Sequence, residues 1–204
     1  MSREFRALDL FCGAGGLSWG LHKNKNFKTV VALDFDEHVA NTFKKNMPEV
    51  DVIVGDITDS AVKEKIITSA KKENVNMIAG GPPCQGYSMK GKKLGLADPR
   101  NFLFREYLNI VKEIRPEVFI IENVKGLLIA SNGWFKEEII QSIEDLGYNV
   151  EYGILNAADF GVPQSRERTI FICSQNKKIP LPEPIVKTRT TVRDAISDLS
   201  YLNS

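Results

Sequence analysis

The chain has 204 residues, 43% of them hydrophobic and 26% charged, so it is long enough for one domain with a substantial core and is ordinary for a globular protein. The formal net charge of +1 provides no overall basic field that would by itself indicate nucleic-acid binding. The three cysteines are widely spaced with no CxxC pattern, and no apolar run reaches membrane-spanning length. We therefore expect free thiols, no metal, no membrane partner and no signal peptide, in a protein that is cytoplasmic, nucleoid-associated if bacterial or nuclear if eukaryotic.

The first predicted strand, Ala7 to Phe11, is followed by a glycine turn and a helix. The turn is Cys12-Gly13-Ala14-Gly15-Gly16, and the helix runs from about Leu17 to His22. In this arrangement backbone N–H groups meet a ligand at the start of the helix, and glycine lets the backbone approach it closely. The spacing is not the GxGxxG of dinucleotide-binding folds. The turn is compatible with a ligand site, and packing alone is the alternative.

Acidic residues follow the second and third predicted strands. The second strand, Thr29 to Leu33, ends at Asp34, the position at which Rossmann-like folds bind ribose hydroxyls. Asp36, two residues further on, is the better candidate for a helix N-cap. The third strand, Val50 to Val54, leads to Asp56. The carboxylate of Asp56 either accepts from an exocyclic amine of a ligand or caps a turn.

A cysteine lies just past the fourth predicted strand, Val75 to Ala79. The sequence there is Gly80-Gly81-Pro82-Pro83-Cys84-Gln85-Gly86-Tyr87-Ser88. The carboxyl ends of strands are the edge at which open α/β sheets bind ligands. The two prolines stiffen the backbone that presents the thiol, and the glycines leave space around it. The pattern favours Cys84 as a nucleophile, with a small buried residue as the alternative. The loop that follows, Gly86 to Pro99, has a length typical of functional or disordered loops.

Two later segments bring charged residues to the same edge of the predicted sheet. A helix that begins at Asn101 ends before the fifth strand, Val118 to Ile121, which delivers Glu122. A carboxyl group there suits a general acid, and a capping or salt-bridged glutamate is the alternative. The last two predicted strands are Tyr148 to Leu155 and Thr169 to Cys173, and between them lies Gln164-Ser165-Arg166-Glu167-Arg168. If this stretch is extended, its two arginines point the same way and could clamp a phosphate or a carbonyl oxygen.

Strands and helices alternate through most of the chain. This alternation predicts an α/β fold with a mostly parallel sheet and helices on both faces. From Ile179 onwards the sequence is rich in proline, which is typical of a linker, and a short helix ends it. We therefore divide the chain into a domain at residues 1–175 and a linker with a short helix at residues 176–204.

Four stretches together resemble the DNA cytosine-5 methyltransferases. They occur in the order and at the spacings of that family, and the resemblance covers nearly the whole chain. The resemblance implies a Rossmann-like S-adenosylmethionine-dependent methyltransferase fold, S-adenosyl-L-methionine as cofactor and double-stranded DNA as substrate. The stretches are Asp9-Leu10-Phe11-Cys12-Gly13-Ala14-Gly15-Gly16, Gly80-Gly81-Pro82-Pro83-Cys84-Gln85-Gly86-Tyr87-Ser88, Glu122-Asn123-Val124 and Gln164-Ser165-Arg166-Glu167-Arg168.

The resemblance also implies roles for individual residues. Cys84 would attack C6 of a flipped-out cytosine, Glu122 would contact N3 and the exocyclic amine, and Arg166 and Arg168 would complete the site, the latter near the base carbonyl. The basic stretch from Met89 to Arg100 resembles the family's loop that closes over DNA. The implied cofactor-binding residues are Phe11, Gly13, Gly15, Asp34, Phe35, Asp56, Ile57, Pro83 and Leu103. The implied DNA-binding residues are Gln85, Ser88, Lys90, Lys92, Lys93 and Arg100.

The chain departs from the family in one respect. Family members continue into a target-recognition domain and two further segments, the last of which is a helix that packs near the first strand. Nothing in the chain corresponds to these, although Thr191 to Ile196 resembles the segment before the recognition domain. We therefore expect a missing C-terminal half or a second subunit. The alternatives are a cofactor-binding subunit that is inactive without a partner and a DNA-type enzyme acting on tRNA. The glycine spacing disfavours a nicotinamide-dependent dehydrogenase.

Overall fold

The structure is a computed structural model that describes residues 3–83, 102–129 and 133–199. The strands are β1 (Phe5–Leu10), β2 (Phe27–Asp34), β3 (Asp51–Val54), β4 (Met77–Gly80), β5 (Val118–Val124), β6 (Asn149–Asn156) and β7 (Glu167–Ser174). The helices are α1 (Gly16–His22), α2 (Glu37–Asn46), α3 (Ser60–Lys72), α4 (Phe102–Ile114), α5 (Gly126–Ile129), α6 (Trp134–Asp145) and α7 (Val192–Ile196), with a 3-10 turn at Ala157–Phe160. Within the described ranges, no helix has the length and apolar character needed to cross a membrane.

The strands form one sheet in the order β3-β2-β1-β4-β5-β7-β6. Strands β1 to β5 pair in parallel, and β7 runs antiparallel between β5 and β6. The prediction of a mostly parallel α/β sheet with helices on both faces is confirmed. The strand order reverses between β1 and β4, and ligands of open α/β sheets bind at such a reversal. The loops after these two strands are the glycine turn and the Pro-Pro turn, so the topology places both at one crevice.

The two faces of the sheet have different cores, because alternate residues of a strand point to opposite faces. On one face Leu8, Leu10 and Ile78 belong to a single large apolar cluster with side chains of α3, α4 and α6. On the other face two smaller clusters involve α2 and α1. Tyr107 of α4 is fully buried, and its hydroxyl donates to the carbonyl oxygen of Ile120 on β5 at 2.9 Å. The larger cluster thus fixes the strands whose ends carry the predicted site.

Candidate active site

The turn after β1 has an unusual backbone. Phe11, Gly13 and Gly15 have φ angles of +61°, +53° and +94°. Glycine adopts such angles readily, whereas a bulky residue such as phenylalanine does so rarely and at a cost in energy. At Gly15 an added Cβ would lie 2.6 Å from Cε of Met47 and 2.8 Å from Cδ2 of Phe43, so these side chains would have to shift. The strain at Phe11 is of the kind found at ligand sites.

A cavity of about 380 Å³ lies beside this turn, at the carboxyl ends of the strands. Its size is that of a small-molecule site. Seven of the nine residues predicted to bind the cofactor line it: Phe11, Asp34, Phe35, Asp56, Ile57, Pro83 and Leu103. The other two, Gly13 and Gly15, are not among its lining residues, although Gly13 is hydrogen-bonded to one of them. Three lining residues were missed by the sequence reasoning, namely Leu33, Gly55 and Gly81.

The acidic residues at this cavity also hold the protein backbone. Oδ2 of Asp34 accepts from the backbone N–H of Gly13 at 2.8 Å, and Oδ1 accepts from that of Asp36 at 3.0 Å. The end of β2 is therefore tied to the glycine turn. Oδ1 of Asp56 accepts from both the backbone N–H and the hydroxyl of Thr58 at 2.8 Å, so Asp56 does cap a turn while lining the cavity. Asp36 caps α2 as predicted.

Glu122 on β5 is paired with both predicted arginines. Its Oε1 lies 2.8 Å from Nε of Arg168 and 3.7 Å from Nη2 of Arg166. The two guanidiniums therefore point to the same place, as the alternation of an extended strand predicted. The other carboxylate oxygen would be 3.0 Å from a Cβ placed on Gly81, so glycine at that position leaves room for it. The antiparallel pairing of β5 with β7 brings these residues together from distant parts of the sequence.

The Pro-Pro turn is fixed to β5 by a residue that sequence reasoning did not single out. Nδ2 of Asn123, which is buried, donates to the carbonyl oxygen of Pro82 at 2.8 Å. Asn123 could have been found from the sequence as a polar residue within an otherwise apolar strand, because a buried amide needs a hydrogen-bond partner. Cys84 follows Pro83 directly in the sequence. The predicted positions Cys84, Gln85, Ser88, Lys90, Lys92, Lys93 and Arg100 lie outside the described residues.

A second recess, of about 270 Å³, lies on the Glu122 side of the Pro-Pro turn. Its lining residues are Gly81, Pro82, Pro83, Glu122, Asn123, Val124, Arg166 and Arg168. Gly81 and Pro83 also line the first cavity. The turn is therefore a shared wall between an apolar cavity with acidic residues and a polar recess with one carboxylate and two guanidiniums. This arrangement can hold two different ligands on either side of the segment that leads to Cys84.

The other two cysteines of the chain are poorly suited to act as nucleophiles. Cys12 and Cys173 are both buried, and burial raises the pKa of each thiol well above its ordinary value. Thiol reactivity requires the thiolate, so both side chains should be inert at neutral pH. Among the described residues, no group of three or more His, Cys, Asp or Glu side chains could hold a metal ion.

A buried acid lies beneath the glycine turn and was also missed. Asp9 on β1 is 1% exposed, and its Oδ2 accepts from the hydroxyl of Ser18 at 2.6 Å. The hydroxyl of Thr29 in turn donates to that of Ser18 at 2.9 Å. Burial raises the pKa of Asp9 to about 7, although hydrogen bonds from Ser18 act in the opposite direction and the charge of Asp34 adds to the rise. This network connects β1, α1 and β2 below the cavity.

Known proteins resemble this chain in sequence and in fold. Residues 5–202 match the family described as C-5 cytosine-specific DNA methylase. The chain is 40% identical to the type II methyltransferase M.AquIA of Picosynechococcus sp., over 96% of this chain and 89% of that protein. It is 38% identical to the type II methyltransferase M1.HphI of Haemophilus parahaemolyticus, over 97% of this chain and 53% of that protein. The crystal structure of a DNA modification methyltransferase encoded within an E. coli prophage is 28% identical with a TM-score of 0.76, over 95% of this chain and 54% of that one.

The chain thus spans nearly all of one of these relatives and about half the length of the other two. The family match extends over almost every residue and includes each of the four stretches that carried the resemblance. The chain belongs to the C-5 cytosine-specific DNA methylase family.

Proposed function

We propose that this chain is the catalytic part of an enzyme that transfers a methyl group from S-adenosylmethionine to carbon 5 of cytosine in DNA. One observation carries the proposal: the cavity at the glycine turn and the polar recess at Glu122 share the wall formed by Gly81 and Pro83. The next residue in the sequence is Cys84. A methyl donor on one side and a base on the other would therefore meet at the segment that presents the thiol.

The first cavity fits the proposed cofactor. Its apolar wall includes Phe11, Ile57 and Leu103, against which a purine ring could pack. Asp34 lies at the end of β2, and its two oxygens each accept one backbone hydrogen bond. Because an ionised carboxylate has about four acceptor positions, it could also accept from ribose hydroxyls. Bound S-adenosylmethionine would supply the methyl group as an electrophile, which none of the side chains can do.

The recess at Glu122 complements the polar edge of cytosine. That edge has an amino donor at N4 and acceptors at N3 and O2. The carboxylate of Glu122 can accept from the amine, and the guanidinium of Arg168 can donate to the carbonyl oxygen. Thymine would place a carbonyl oxygen in front of the carboxylate, which is repulsive. Nε of Arg168 lies 2.8 Å from Oε1 of Glu122, so both side chains are within reach of one ring.

Cys84 would begin the chemistry at the base. Its thiolate forms a bond to C6 as the C5–C6 double bond breaks, and a proton supplied to N3 from the side of Glu122 favours that addition. C5 then carries the electron density needed to accept the methyl group. Loss of the C5 proton to a base and expulsion of the thiolate restore the double bond. Since both faces of the ring must be reached, the base has to leave the stack of the duplex.

A second part would complete the enzyme. Ile120, Ile170 and Ile172 lie on the same face of β5 and β7, because the register pairs Ile120 with Ile172 and Glu122 with Ile170, and all three are partly buried. Apolar surface that is left partly uncovered is a place where a partner could pack. The half-length match to M1.HphI supports a C-terminal half in the same chain. The near-complete match to M.AquIA supports a short chain, for which we propose that the second part is a separate polypeptide. That part would carry target recognition.

Covalent trapping tests the nucleophile. With cofactor and the C-terminal part supplied, the chain should form a stable adduct with duplex DNA that contains 5-fluorocytosine, because fluorine cannot leave as a cation. Cys84→Ser should abolish the adduct, since a hydroxyl is far less ionised than a thiol. Cys12→Ser is the matched control and should still form it. An adduct that persists in Cys84→Ser would show that another residue is the nucleophile.

Transfer of tritium from labelled S-adenosylmethionine tests the need for a second part. Residues 1–204 alone should give no methylation of mixed-sequence DNA, and addition of the C-terminal part should restore it. Glu122→Gln, which keeps the shape of the side chain, should lower the restored turnover by roughly 10²–10⁴-fold. Robust site-specific methylation by residues 1–204 alone would contradict the proposal of a second part. Parallel assays on tRNA would separate a DNA enzyme from one that acts on RNA.

A further inference from the structure

We propose that Asp159 is a positioning residue that couples the exit segment, residues 176–191, to the arginine loop, residues 157–166. Through this coupling, the part of the protein that follows residue 191 would influence the recess at Glu122. The inference rests on the proposed function, because that function makes the recess the base site. The contacts that support it involve neither the glycine turn nor the Pro-Pro turn.

Asp159 lies in the 3-10 turn after β6 and receives four hydrogen bonds from the exit segment. Its backbone carbonyl oxygen accepts from the N–H groups of Ile185 at 3.0 Å and Val186 at 3.3 Å. Its Oδ1 accepts from Nε and Nη2 of Arg189 at 3.0 and 2.7 Å. Backbone and side chain of a single residue therefore hold three residues, Ile185, Val186 and Arg189, of an otherwise irregular segment.

The arginine loop is in turn closed around Arg166. Oδ1 of Asn156 accepts from the backbone N–H groups of Ala158 and Arg166, both at 3.1 Å. The N–H of Ala157 donates to the carbonyl oxygen of Arg166 at 3.0 Å. Asp159 thus belongs to a turn whose first residues, Asn156 and Ala157, are hydrogen-bonded to the backbone of Arg166. A shift of the turn would be transmitted to the guanidinium that lies 3.7 Å from Glu122.

The exit segment also packs beside the base site. Leu181 lies over Gly153 on β6, where an added Cβ would be 2.6 Å from its Cδ1. Pro182 lines a further recess of about 270 Å³, which shares Glu122, Arg166 and Arg168 with the recess described above. The remaining wall is largely apolar and comes from Leu155, Ala157, Phe160 and Ile170. Displacement of the exit segment would therefore open one side of the recess next to the carboxylate.

The chemistry of the ion pair favours a positioning role over a purely stabilising one. The side chains of Arg189 and Asp159 are 58% and 29% exposed, and ion pairs with such exposure contribute little to stability. Two residues after Arg189, Thr191 forms a capping box with Asp194 and begins α7. Val192 on α7 is 58% exposed. A partner that engages this helix would act on the exit segment through a short connection.

Hydrogen exchange measured by mass spectrometry on the 204-residue chain tests the coupling directly. In Arg189→Gln, amides of residues 157–166 and 185–189 should exchange about two- to five-fold faster, the range expected for loss of an exposed ion pair. Arg193→Gln, which removes the same charge from α7, is the matched control and should leave both segments unchanged. Unchanged exchange in β1 to β5 would show that the fold is intact. The charge-swapped pair Asp159→Arg with Arg189→Asp should restore protection.

Kinetics of the chain supplied with its C-terminal part tests the consequence for the base site. Arg189→Gln should lower kcat for DNA methylation about two- to five-fold and leave KM for S-adenosylmethionine unchanged, because the cofactor cavity lies across the Pro-Pro turn. Faster exchange confined to residues 185–189, or an unchanged kcat, would overturn the coupling. Coupled exchange without any covalent adduct at Cys84 would instead show that the coupling exists and that the proposed reaction is wrong.

Discussion

Replacement of Asp9 by asparagine should remove a pH-dependent loss of stability from the fold. Burial raises the pKa of Asp9 from 3.8 to about 7, so the folded protein retains a proton there that the unfolded chain has already lost. The contribution of the neutral Asp9 carboxyl to the free energy of unfolding is therefore fully present below pH 3.8. It is lost as the pH rises to about 7. Linkage gives a slope of about −1.4 kcal/mol per pH unit in that window. The whole rise in pKa corresponds to roughly 4 kcal/mol.

Urea unfolding of the wild-type chain and of Asp9→Asn, measured from pH 4 to pH 8, checks this. The difference between the two free energies of unfolding should change by up to roughly 4 kcal/mol in favour of the variant as the pH rises. The change with pH is diagnostic, because a constant offset could arise from altered hydrogen bonds to Ser18. Thr29→Val is a control that disturbs the same network without removing the acid, and it should retain the wild-type slope. Parallel curves for wild type and Asp9→Asn would refute the reasoning.

Two further substitutions test local features of the fold. Gly15→Ala should destabilise the protein by at least about 1–2 kcal/mol, because a side chain is strained at this backbone angle and would also meet Met47. Gly16→Ala is its control and should be neutral, since nothing lies within 4 Å of an added Cβ there. Tyr107→Phe should cost about 1 kcal/mol through loss of the hydrogen bond to Ile120, and an unchanged denaturation midpoint would contradict that assignment.

Much of the fold could be predicted because strand and helix periods are local properties of the sequence. The seven strands lie where apolar runs indicated them, with ends that differ by a few residues. The short helix α5 was not predicted, since four residues are too few to show a helical period. The strand order could not be derived from periodicity. The pairing of β7 between β5 and β6 depends on contacts between residues far apart in the sequence.

In the candidate site too, residues marked by a local sequence pattern were predicted, and residues whose role depends on tertiary packing were not. Glu122 and Asp34 were predicted because each directly follows an apolar run. Asp34 is the last residue of β2, whereas β5 continues to Val124 and Glu122 lies within it. Asp9 and Asn123 were missed because they lie within strands, where their burial and their partners depend on tertiary packing. The anchoring of the proline-rich segment was missed for a similar reason. Its composition indicated a linker, whereas the hydrogen bonds from Ile185 and Val186 end on a turn more than twenty residues earlier.

Arginine at position 168 explains how the proposed base site can be ordered before a base arrives. Its Nε holds Glu122 at 2.8 Å, and its Nη1 donates to the carbonyl oxygen of Glu167 at 2.8 Å. The contact with Glu122 is an ion pair, and among the described residues the bond from Nη1 is the one side-chain hydrogen bond that Arg168 makes. Most of the five N–H donors in this rigid fork are therefore available. The remaining donors could meet a base carbonyl without release of the carboxylate. Donors fixed in advance cost no reorganisation during the reaction. Lysine offers a single compact charge and could not reproduce the rigid fork of donors that contacts both the strand and the carboxylate.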